Sequence, residues 1–433
     1  MRGAVYSELP CLGRHFVAGS GIQQCPRGGE SSTEVELSNV QLLTLNLQRA
    51  RVPSLNHACG RKGVAQTNPA RFTAQSMKAP ACCNRCAAPR AAVAIAGLLC
   101  GLAQTPRAGA ADYAIGADLS FLKQAEDQGT VFKDAGQAKP GLQIFKDHGY
   151  NWIRLRLFHS PTRLPNNLDY TLALAKDARK LGYRFLLNYH YSDTWADPGK
   201  QTLPKAWQGR SHAELVTAVF DYTRDTIIAF RDAGVLPEMV QVGYEFSPGM
   251  LGPDGRLPAN WDNFADLLKA GIQGVEAGSG TNRPPRIMIH IDRGGDRAGT
   301  RRFFDKLNSH GVPYDVIGQS YYPWWHGTLL DLRENLAFMA STYQKDIVLV
   351  EVAYCWRPTE YTRRSGPFPE TPEGQREFLE EVNRLVLSTP NHRGIGIFWW
   401  EPAVTSGLRA RGMFDDDGNA LPVINVFDRF TRK

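Results

Sequence analysis

Cysteine and excess charge are both scarce in most of this chain. Seven of the eight cysteines lie before residue 110, and Cys355 is the one that follows, so residues 111–433 have no pair of cysteines for an internal disulfide. Residues 1–110 also hold twelve Lys/Arg against four Asp/Glu, so the rest of a chain with a net charge of +7 carries −1. This near-neutral remainder gives no basis for nucleic-acid binding.

Metal-binding motifs are missing as well. Cys83 and Cys86 form a CxxC pair, but no second pair of ligands follows at zinc spacing. The segment FDDDGN (Phe414–Asn419) lacks the glycine and terminal glutamate spacing of an EF-hand calcium loop. A hairpin-like turn is the better interpretation of that segment, and we predict neither a metal nor a cofactor.

The longest apolar run near the start is too short to cross a membrane. Ala91–Ala103 comprises 13 residues, whereas a membrane-spanning helix needs about 20. The run follows a basic segment and precedes Ala108-Gly109-Ala110, which completes the three parts of a secretory signal. Residues 77–110 are therefore predicted to be a signal peptide of a secreted or periplasmic protein. A lipoprotein site at Cys100 is an alternative, against which the bulky Leu99 argues.

The first 76 residues show no sustained periodicity. A secretory signal normally begins its protein, so Met77 is the expected true start. We accordingly predict that residues 1–76 are a misassigned or disordered extension and that residues 111–433 form the functional domain.

Strand-like and helical segments alternate through residues 111–433, which predicts an α/β protein. Eight strand-like segments close a single (β/α)₈ TIM barrel, whereas an open doubly wound sheet would more often show a glycine-rich phosphate loop after its first strand. The predicted strands are Ala114–Ser120, Trp152–Phe158, Phe185–Tyr191, the strand from Met239 to Glu245, Ile287–Asp292, Val316–Tyr322, Ile347–Tyr354 and Gly394–Trp400. Helices are predicted at Lys139–His148, Leu168–Leu181, Ser211–Ala233, Trp261–Ala277, Thr300–His310, Leu329–Tyr343 and Pro372–Leu387.

Two glutamates stand at the ends of such strands. Val240 and Val242 alternate with Gly243 and Glu245, and Glu351 closes an otherwise apolar run in which it shares a side with Leu349. Either glutamate alone has an ordinary interpretation as the end of a strand. Together, on the rim of one barrel, they provide the two carboxylates that retaining glycoside hydrolysis requires, about 5–5.5 Å apart.

Other polar and aromatic residues lie near the predicted C-terminal ends of strands, where barrel active sites sit. Each has a structural alternative, such as an ion pair for an arginine or a barrel plug for a tryptophan. Collectively they predict a polar cleft with aromatic walls, suited to sugars, whose C–H faces stack on rings. The residues near strand ends are Arg156, His190, Asp292, Tyr321 or Tyr322, and Trp400. The aromatic residues that cluster near loops are Trp195, Trp207, Tyr322, Trp324, Trp325, Trp356 and Trp400.

From about Ile115 to Leu421 the chain resembles the endo-β-1,4-galactanases of glycoside hydrolase family 53. The matching stretches are GADLSFL, NWIRLRLF, HYSDTWADPGKQ, VQVGYEFSPGMLGPDG, SYYPWWHG, EVAYCW, FWWEP and FDDDGNALP. The resemblance implies that Glu245 is the acid/base and Glu351 the nucleophile. It also implies that Arg156, His190, Tyr322 and Trp400 line the subsite of the cleaved sugar, with Trp195 and Asp197 in the adjoining loop.

The chain departs from the family pattern at four positions. Tyr244 replaces the asparagine that the resemblance implies beside the acid/base, where it would donate to the sugar 2-hydroxyl. Strict alternation would turn Tyr244 away from Glu245, so it reaches the cleft only if the strand bulges. Asn188, Val352 and Cys355 stand where aspartate, threonine and proline are usual; we expect Cys355 to be a small buried hydrophobe without a catalytic role.

These observations favour a secreted, monomeric retaining endo-β-glycosidase that hydrolyses β-1,4-galactan or arabinogalactan side chains. Two alternatives follow from Tyr244: a related retaining β-glycosidase with another sugar or linkage preference, and a carbohydrate-binding barrel without catalysis. Retention of both glutamates argues against the second. A metal-dependent barrel hydrolase is disfavoured because the first strand has no HxH pair.

Overall fold

The computed structural model describes residues 113–359, 366–404 and 409–430. The predicted extension (1–76) and signal peptide (77–110) lie outside the described residues. They therefore stay predictions, and the structure concerns the domain that follows them.

Eight parallel strands close into a barrel in which each strand pairs with its neighbours in the sequence. The first strand completes the ring by pairing with both the second and the eighth. The strands are β1 (Ala114–Asp118), β2 (Trp152–Leu157), β3 (Arg184–Tyr189), β4 (Met239–Gln241), β5 (Arg286–Ile291), β6 (Val316–Tyr321), β7 (Asp346–Val352) and β8 (Gly394–Trp399). The predicted (β/α)₈ fold is confirmed.

Helices alternate with these strands and pack against them. The helix predicted at Ser211–Ala233 begins with a capping box as expected, since Glu214 accepts the backbone N–H of Ser211 at 2.7 Å. The predicted start at Thr300 is three residues late, because Asp296 caps the helix by accepting the N–H of Gly299 at 2.8 Å. The helices are α1 (Leu122–Asp127), α2 (Gly141–Asp147), α3 (Leu168–Lys180), α4 (His212–Asp232), α5 (Trp261–Ser279), α6 (Arg297–Ser309), α7 (Leu329–Thr342) and α8 (Pro372–Leu387).

The short α1 and two small antiparallel hairpins were outside the predicted pattern, because two-residue strands carry almost no periodicity. The hairpins pair Lys133–Asp134 with Gln137–Ala138 and Gly249–Met250 with Gly255–Arg256. The FDDDGN segment does form a turn, in which Asp415 accepts the backbone N–H groups of Asp417 and Asn419.

The interior of the barrel changes from apolar to polar along the strands. Inward side chains from the eight strands form an apolar cluster distinct from the main core between strands and helices: Ala114, Trp152, Leu186, Met239, Met288, Val316, Val348, Val350 and Phe398. Two residues further on, four of these strands carry Arg154, Asn188, Gln241 and His290, all fully buried. Because side chains alternate along a strand, these polar groups share the barrel interior at its C-terminal end.

The fourth strand is shorter than predicted. β4 ends at Gln241, and Gln241 Nε2 turns back to donate to the Gly243 carbonyl at 2.8 Å. Gly243 and Glu245 have φ angles of 102° and 46°, outside the range of a strand. Glu245 is thus held by an irregular segment after the strand.

A bulge in β7 corrects the predicted side of Glu351. In the register with β6, Leu349 pairs with Gln319 and Glu351 with Ser320, so Val350 is an extra residue. Strict alternation would place Glu351 on the side of Leu349, facing the helices. The extra residue instead turns Glu351 into the barrel.

Candidate active site

Two buried glutamates stand at the polar end of the barrel. Glu351 is 1% exposed and Glu245 is 6% exposed. Arg154 donates from Nη1 to Glu351 Oε1 at 2.6 Å, and the Tyr322 hydroxyl donates to Glu351 Oε2 at 3.1 Å. The hydroxyl of Ser320 lies 2.7 Å from Glu245 Oε1 and 3.5 Å from Glu351 Oε2. One hydroxyl therefore reaches both carboxyl groups.

The surroundings give the two glutamates different properties. Burial raises the pKa of Glu245 well above its usual range, and the negative charges of Glu351 and Asp292 raise it further. Glu351 instead contacts a guanidinium and a phenol, which both stabilise an anion. The site thus pairs a carboxyl whose pKa is raised with one that an arginine and a phenol contact, as an acid and a nucleophile require.

A chain of buried ion pairs continues from Glu351 across the barrel. Asp118 Oδ2 lies 3.1 Å from Arg154 Nη1 and 3.2 Å from Arg156 Nη2. Arg156 Nη1 in turn lies 2.5 Å from Glu401 Oε1. Burial raises the pKa of Glu401 to about 8, although the nearby Arg156 acts in the opposite direction.

The sequence predicts Arg156 in the cleft, and the structure places it there, but Arg154 is the arginine that contacts Glu351. The two arginines are two residues apart on β2 and share one face, so the same alternation points to Arg154. Alternation also points to Ser320, His290 and Asp118, none of which was predicted. Glu401 follows the end of β8 and has no comparable sequence signal.

Tyr244 lies inside the site. Its ring stacks on His190 with centroids 4.3 Å apart and meets His290 edge-on at 5.3 Å, and the Arg154 guanidinium lies 5.5 Å from its centroid. Burial and then the charges of Glu351 and Glu245 raise the pKa of Tyr244 well above its usual range. Gly243 and Glu245, on either side of Tyr244, both have positive φ angles. This irregular backbone lets the side chain of Tyr244 enter the site, which strict alternation along a strand would not allow.

Further aromatic rings form a wall of the site. Trp195 covers the Arg156 guanidinium at 4.3 Å and lies 6.2 Å from Trp400, which in turn lies 6.4 Å from Tyr322. Trp325 remains 49% exposed at the mouth. The predicted residues Trp195, Tyr322 and Trp400 are therefore brought together with Arg156 beside the glutamates.

Of three further predicted residues, Tyr321 lies outside the cleft, whereas Asp197 and Asp292 lie where the sequence predicts them. Tyr321 stacks on Phe378 and donates its hydroxyl to the Gly327 carbonyl; it points away from the cleft because it is adjacent to the inward Ser320 on the strand. Asp197 lies in the adjoining loop, as expected, where its side chain accepts the Gly199 N–H at 2.7 Å. Asp292 follows β5 and acts electrostatically on Glu245.

Cys355 is wholly buried and unpaired in any disulfide. Within residues 113–359, 366–404 and 409–430, no group of three or more His, Cys, Asp or Glu side chains is arranged to hold a metal ion. Nor does any helix in the described part of the chain have the length and apolarity to cross a membrane.

Comparison with known proteins adds a family context to this geometry. The model for glycosyl hydrolase family 53 matches residues 114–427. An arabinogalactan endo-β-1,4-galactanase of Thermothelomyces thermophilus is 35% identical over 335 residues, which cover 72% of this chain and 98% of that protein. Another, of Cellvibrio japonicus, is 34% identical over 72% of this chain and 86% of its own length. A solved structure of a fungal β-1,4-galactanase superposes with a TM-score of 0.68 at 34% identity, covering 73% of this chain and 99% of that one.

Proposed function

The chain belongs to glycosyl hydrolase family 53 and is a glycoside hydrolase, and we propose that it is a retaining endo-β-1,4-galactanase that cleaves the galactan chains of arabinogalactan. The names of the similar galactanases support the substrate, and the aromatic wall of Trp195, Trp400 and Tyr322 supplies surfaces for sugar rings.

The first step forms a glycosyl-enzyme. Glu245 gives its proton to the glycosidic oxygen as the bond from that oxygen to C1 breaks. A carboxylate oxygen of Glu351 attacks C1 from the opposite face and forms an ester to the sugar. Arg154 and Tyr322 orient Glu351 for this attack.

The second step releases the sugar. Glu245, now ionised, takes a proton from a water molecule whose oxygen attacks C1, and the bond between C1 and Glu351 breaks. Each step inverts the anomeric centre, so the product has the configuration of the substrate.

The observation that carries the proposal is the Ser320 hydroxyl that lies within reach of both glutamates. The sum of its two distances limits the separation of Glu245 Oε1 and Glu351 Oε2 to about 6 Å, which is compatible with the about 5–5.5 Å between the carboxyl groups of retaining pairs.

The decisive experiment is digestion of β-1,4-galactan by the purified chain, followed by proton NMR of the first-formed anomer. We expect internal cleavage into short oligosaccharides that initially carry the β-anomer. The matched control is Glu351→Gln, which preserves side-chain volume and removes the nucleophile. An initial α-anomer, or equal activity in the control, would contradict the mechanism.

A second candidate function follows from one residue. The Tyr244 ring is 5% exposed and stacked on His190, at the position where the family resemblance implies an asparagine that contacts the sugar. A cleft altered here suits a retaining β-glycosidase with another sugar or linkage preference. The non-catalytic alternative gains no support, because both glutamates keep their partners.

We also propose that the chain is secreted as a monomer. A polysaccharide is too large to reach an enzyme inside the cell. The segment 77–110 has the three parts of an export signal. Mass spectrometry of the cell-associated precursor and of the exported protein tests this. Peptides from before Met77 in the precursor, or a mature protein that keeps residues 77–110, would contradict it.

A further inference from the structure

A continuous series of hydrogen bonds joins the two glutamates behind the cleft. It runs from Glu351 through Arg154, Gln241, His290 and Ser320 to Glu245. The four connecting side chains are all fully buried. Gln241, His290 and Ser320 have no part in the two chemical steps above.

The direction of each hydrogen bond follows from Arg154. A guanidinium only donates, so Gln241 presents its carbonyl Oε1 to Arg154 Nη2, at 3.0 Å. The amide nitrogen of Gln241 then faces Gly243 O at 2.8 Å and His290 Nδ1 at 2.9 Å. Its two protons satisfy both acceptors, so His290 Nδ1 is an acceptor and carries no proton.

The second half of the series follows from the first. Burial and then the positive charge of Arg154 lower the pKa of His290 well below its usual range, so the ring is neutral and its one proton is on Nε2. Nε2 donates to Ser320 Oγ at 2.8 Å. The single proton of Ser320 is then directed to Glu245 Oε1 at 2.7 Å, in preference to Glu351 Oε2 at 3.5 Å.

We propose that His290 and Ser320 are positioning residues for the acid/base: they fix Glu245 Oε1 as an acceptor, so that Oε2 carries the proton that the glycosidic oxygen receives. This inference rests on the proposed function of Glu245. It distinguishes the two carboxyl oxygens of Glu245: Oε1 accepts from Ser320, and Oε2 donates the proton. The assignment of Glu245 as acid/base does not by itself distinguish them.

The hydrogen bond from Ser320 also lowers the pKa of Glu245, against burial and the neighbouring charges. The charged and titratable groups that face Glu245 are Glu351 from β7, Asp292 after β5, Arg154 from β2, and the phenols of Tyr244 and Tyr322. A Ser320→Ala variant leaves all of these in place and removes the donor to Glu245, together with the acceptor of the His290 Nε2–H.

The test is the pH profile of kcat/KM for Ser320→Ala. We expect kcat/KM on galactan to fall about 10- to 100-fold, the value of one hydrogen bond to a charged group, and the alkaline limb to move to higher pH. On an aryl β-galactoside with an activated leaving group, which needs little protonation, the rate of glycosyl-enzyme formation should change far less. The matched control is Ser279→Ala, which removes a buried hydroxyl bonded at 2.7 Å within α5 and should leave the profile unchanged.

Two substitutions at His290 separate positioning from packing. Gln at this position keeps one acceptor and one donor, so His290→Gln should stay within a few-fold of the wild type. His290→Leu fills the space without either group and should behave as Ser320→Ala does.

The outcomes are distinct. A wild-type chain that cleaves neither galactan nor the aryl β-galactoside would overturn the proposed function and this inference together. An active wild type, with an unmoved alkaline limb in Ser320→Ala or equal losses in His290→Gln and His290→Leu, would overturn this inference alone.

Discussion

Among single residues, Glu245 and Glu351 differ in what holds them, and this difference can be tested by chemical rescue. We expect Glu351→Ala to be inactive and to regain turnover with azide, which attacks from the nucleophile's side and gives an inverted α-galactosyl azide. Glu245→Ala should lose about 10²–10⁴-fold on galactan and less on aryl galactosides with activated leaving groups. NMR of the azide products distinguishes the two variants. An α-azide from Glu245→Ala would mean that the two roles are exchanged.

Tyr244 determines whether the cleft is adapted to another sugar. Because its ring is packed between His190 and Arg154, we expect Tyr244→Asn to lower activity by about 10-fold on the sugar that this ring accommodates, as loss of one aligned contact would, and to change kcat on galactan little. Initial rates on a panel of aryl glycosides and polysaccharides measure this.

The control for that substitution is Tyr244→Phe, which keeps the ring and removes the hydroxyl. A gain of about 10- to 100-fold in kcat on galactan for Tyr244→Asn, with no other substrate lost, would contradict adaptation. It would show that the phenol is only a poor replacement for an amide.

Among secondary-structure elements, the irregular segment after β4 has a strict backbone requirement. Gly243 has a φ angle of 102°, and a Cβ there would lie 2.1 Å from the Phe246 ring. We expect Gly243→Ala to lower the free energy of unfolding by more than about 1 kcal/mol and to reduce kcat, since Glu245 would move with the backbone. Denaturant unfolding and galactan hydrolysis measure the two effects.

Gly234 offers the matched control, because it also has a positive φ, 73°, but open space around its Cβ position. Gly234→Ala should cost about 1 kcal/mol from the backbone alone and leave kcat unchanged. Equal kcat values for the two alanine variants would show that the backbone around Gly243 does not position Glu245.

Strand periodicity predicted eight strands and most inward positions, because alternation is a property of the local chain. It failed where side-chain hydrogen bonds and the pairing with a neighbouring strand override the local pattern. β4 ends at Gln241 because that side chain bonds to Gly243 and Arg154, and Glu351 faces inward because β7 contains an extra residue. Such features depend on the partner strand, so a single sequence does not reveal them.

For the protein as a whole, the buried charges predict a dependence of stability on pH. Glu401 has a pKa of about 8 in the folded chain, above the about 4.3 of an unfolded glutamate. Between these two pKa values, Glu401 is protonated in the folded chain and ionised in the unfolded chain. The contribution of Glu401 to stability is therefore complete below the unfolded pKa and is lost as pH rises toward 8. We expect Glu401→Gln to flatten this decline, whose slope for one group is at most about 1.4 kcal/mol per pH unit.

Thermal unfolding of both chains from pH 4 to pH 9 measures this slope. Glu245 contributes in the same direction and remains in the variant, so the decline should be reduced and not abolished. The exposed Glu334→Gln is the control and should retain the wild-type slope. Parallel curves for the wild type and Glu401→Gln would mean that the Arg156 ion pair keeps Glu401 ionised throughout.

The burial of Cys355 provides a means of observing the rim of the cleft. It is the one cysteine in residues 113–430, and no part of it reaches solvent. Burial also raises the pKa of its thiol, and the thiolate is the reactive form, so an alkylating reagent modifies Cys355 only when the segment after β7 opens. The rate of labelling then measures how often the chain opens locally, four residues from Glu351. If a bound oligosaccharide slows this rate, alkylation of a buried residue without a catalytic role measures how long the substrate stays bound.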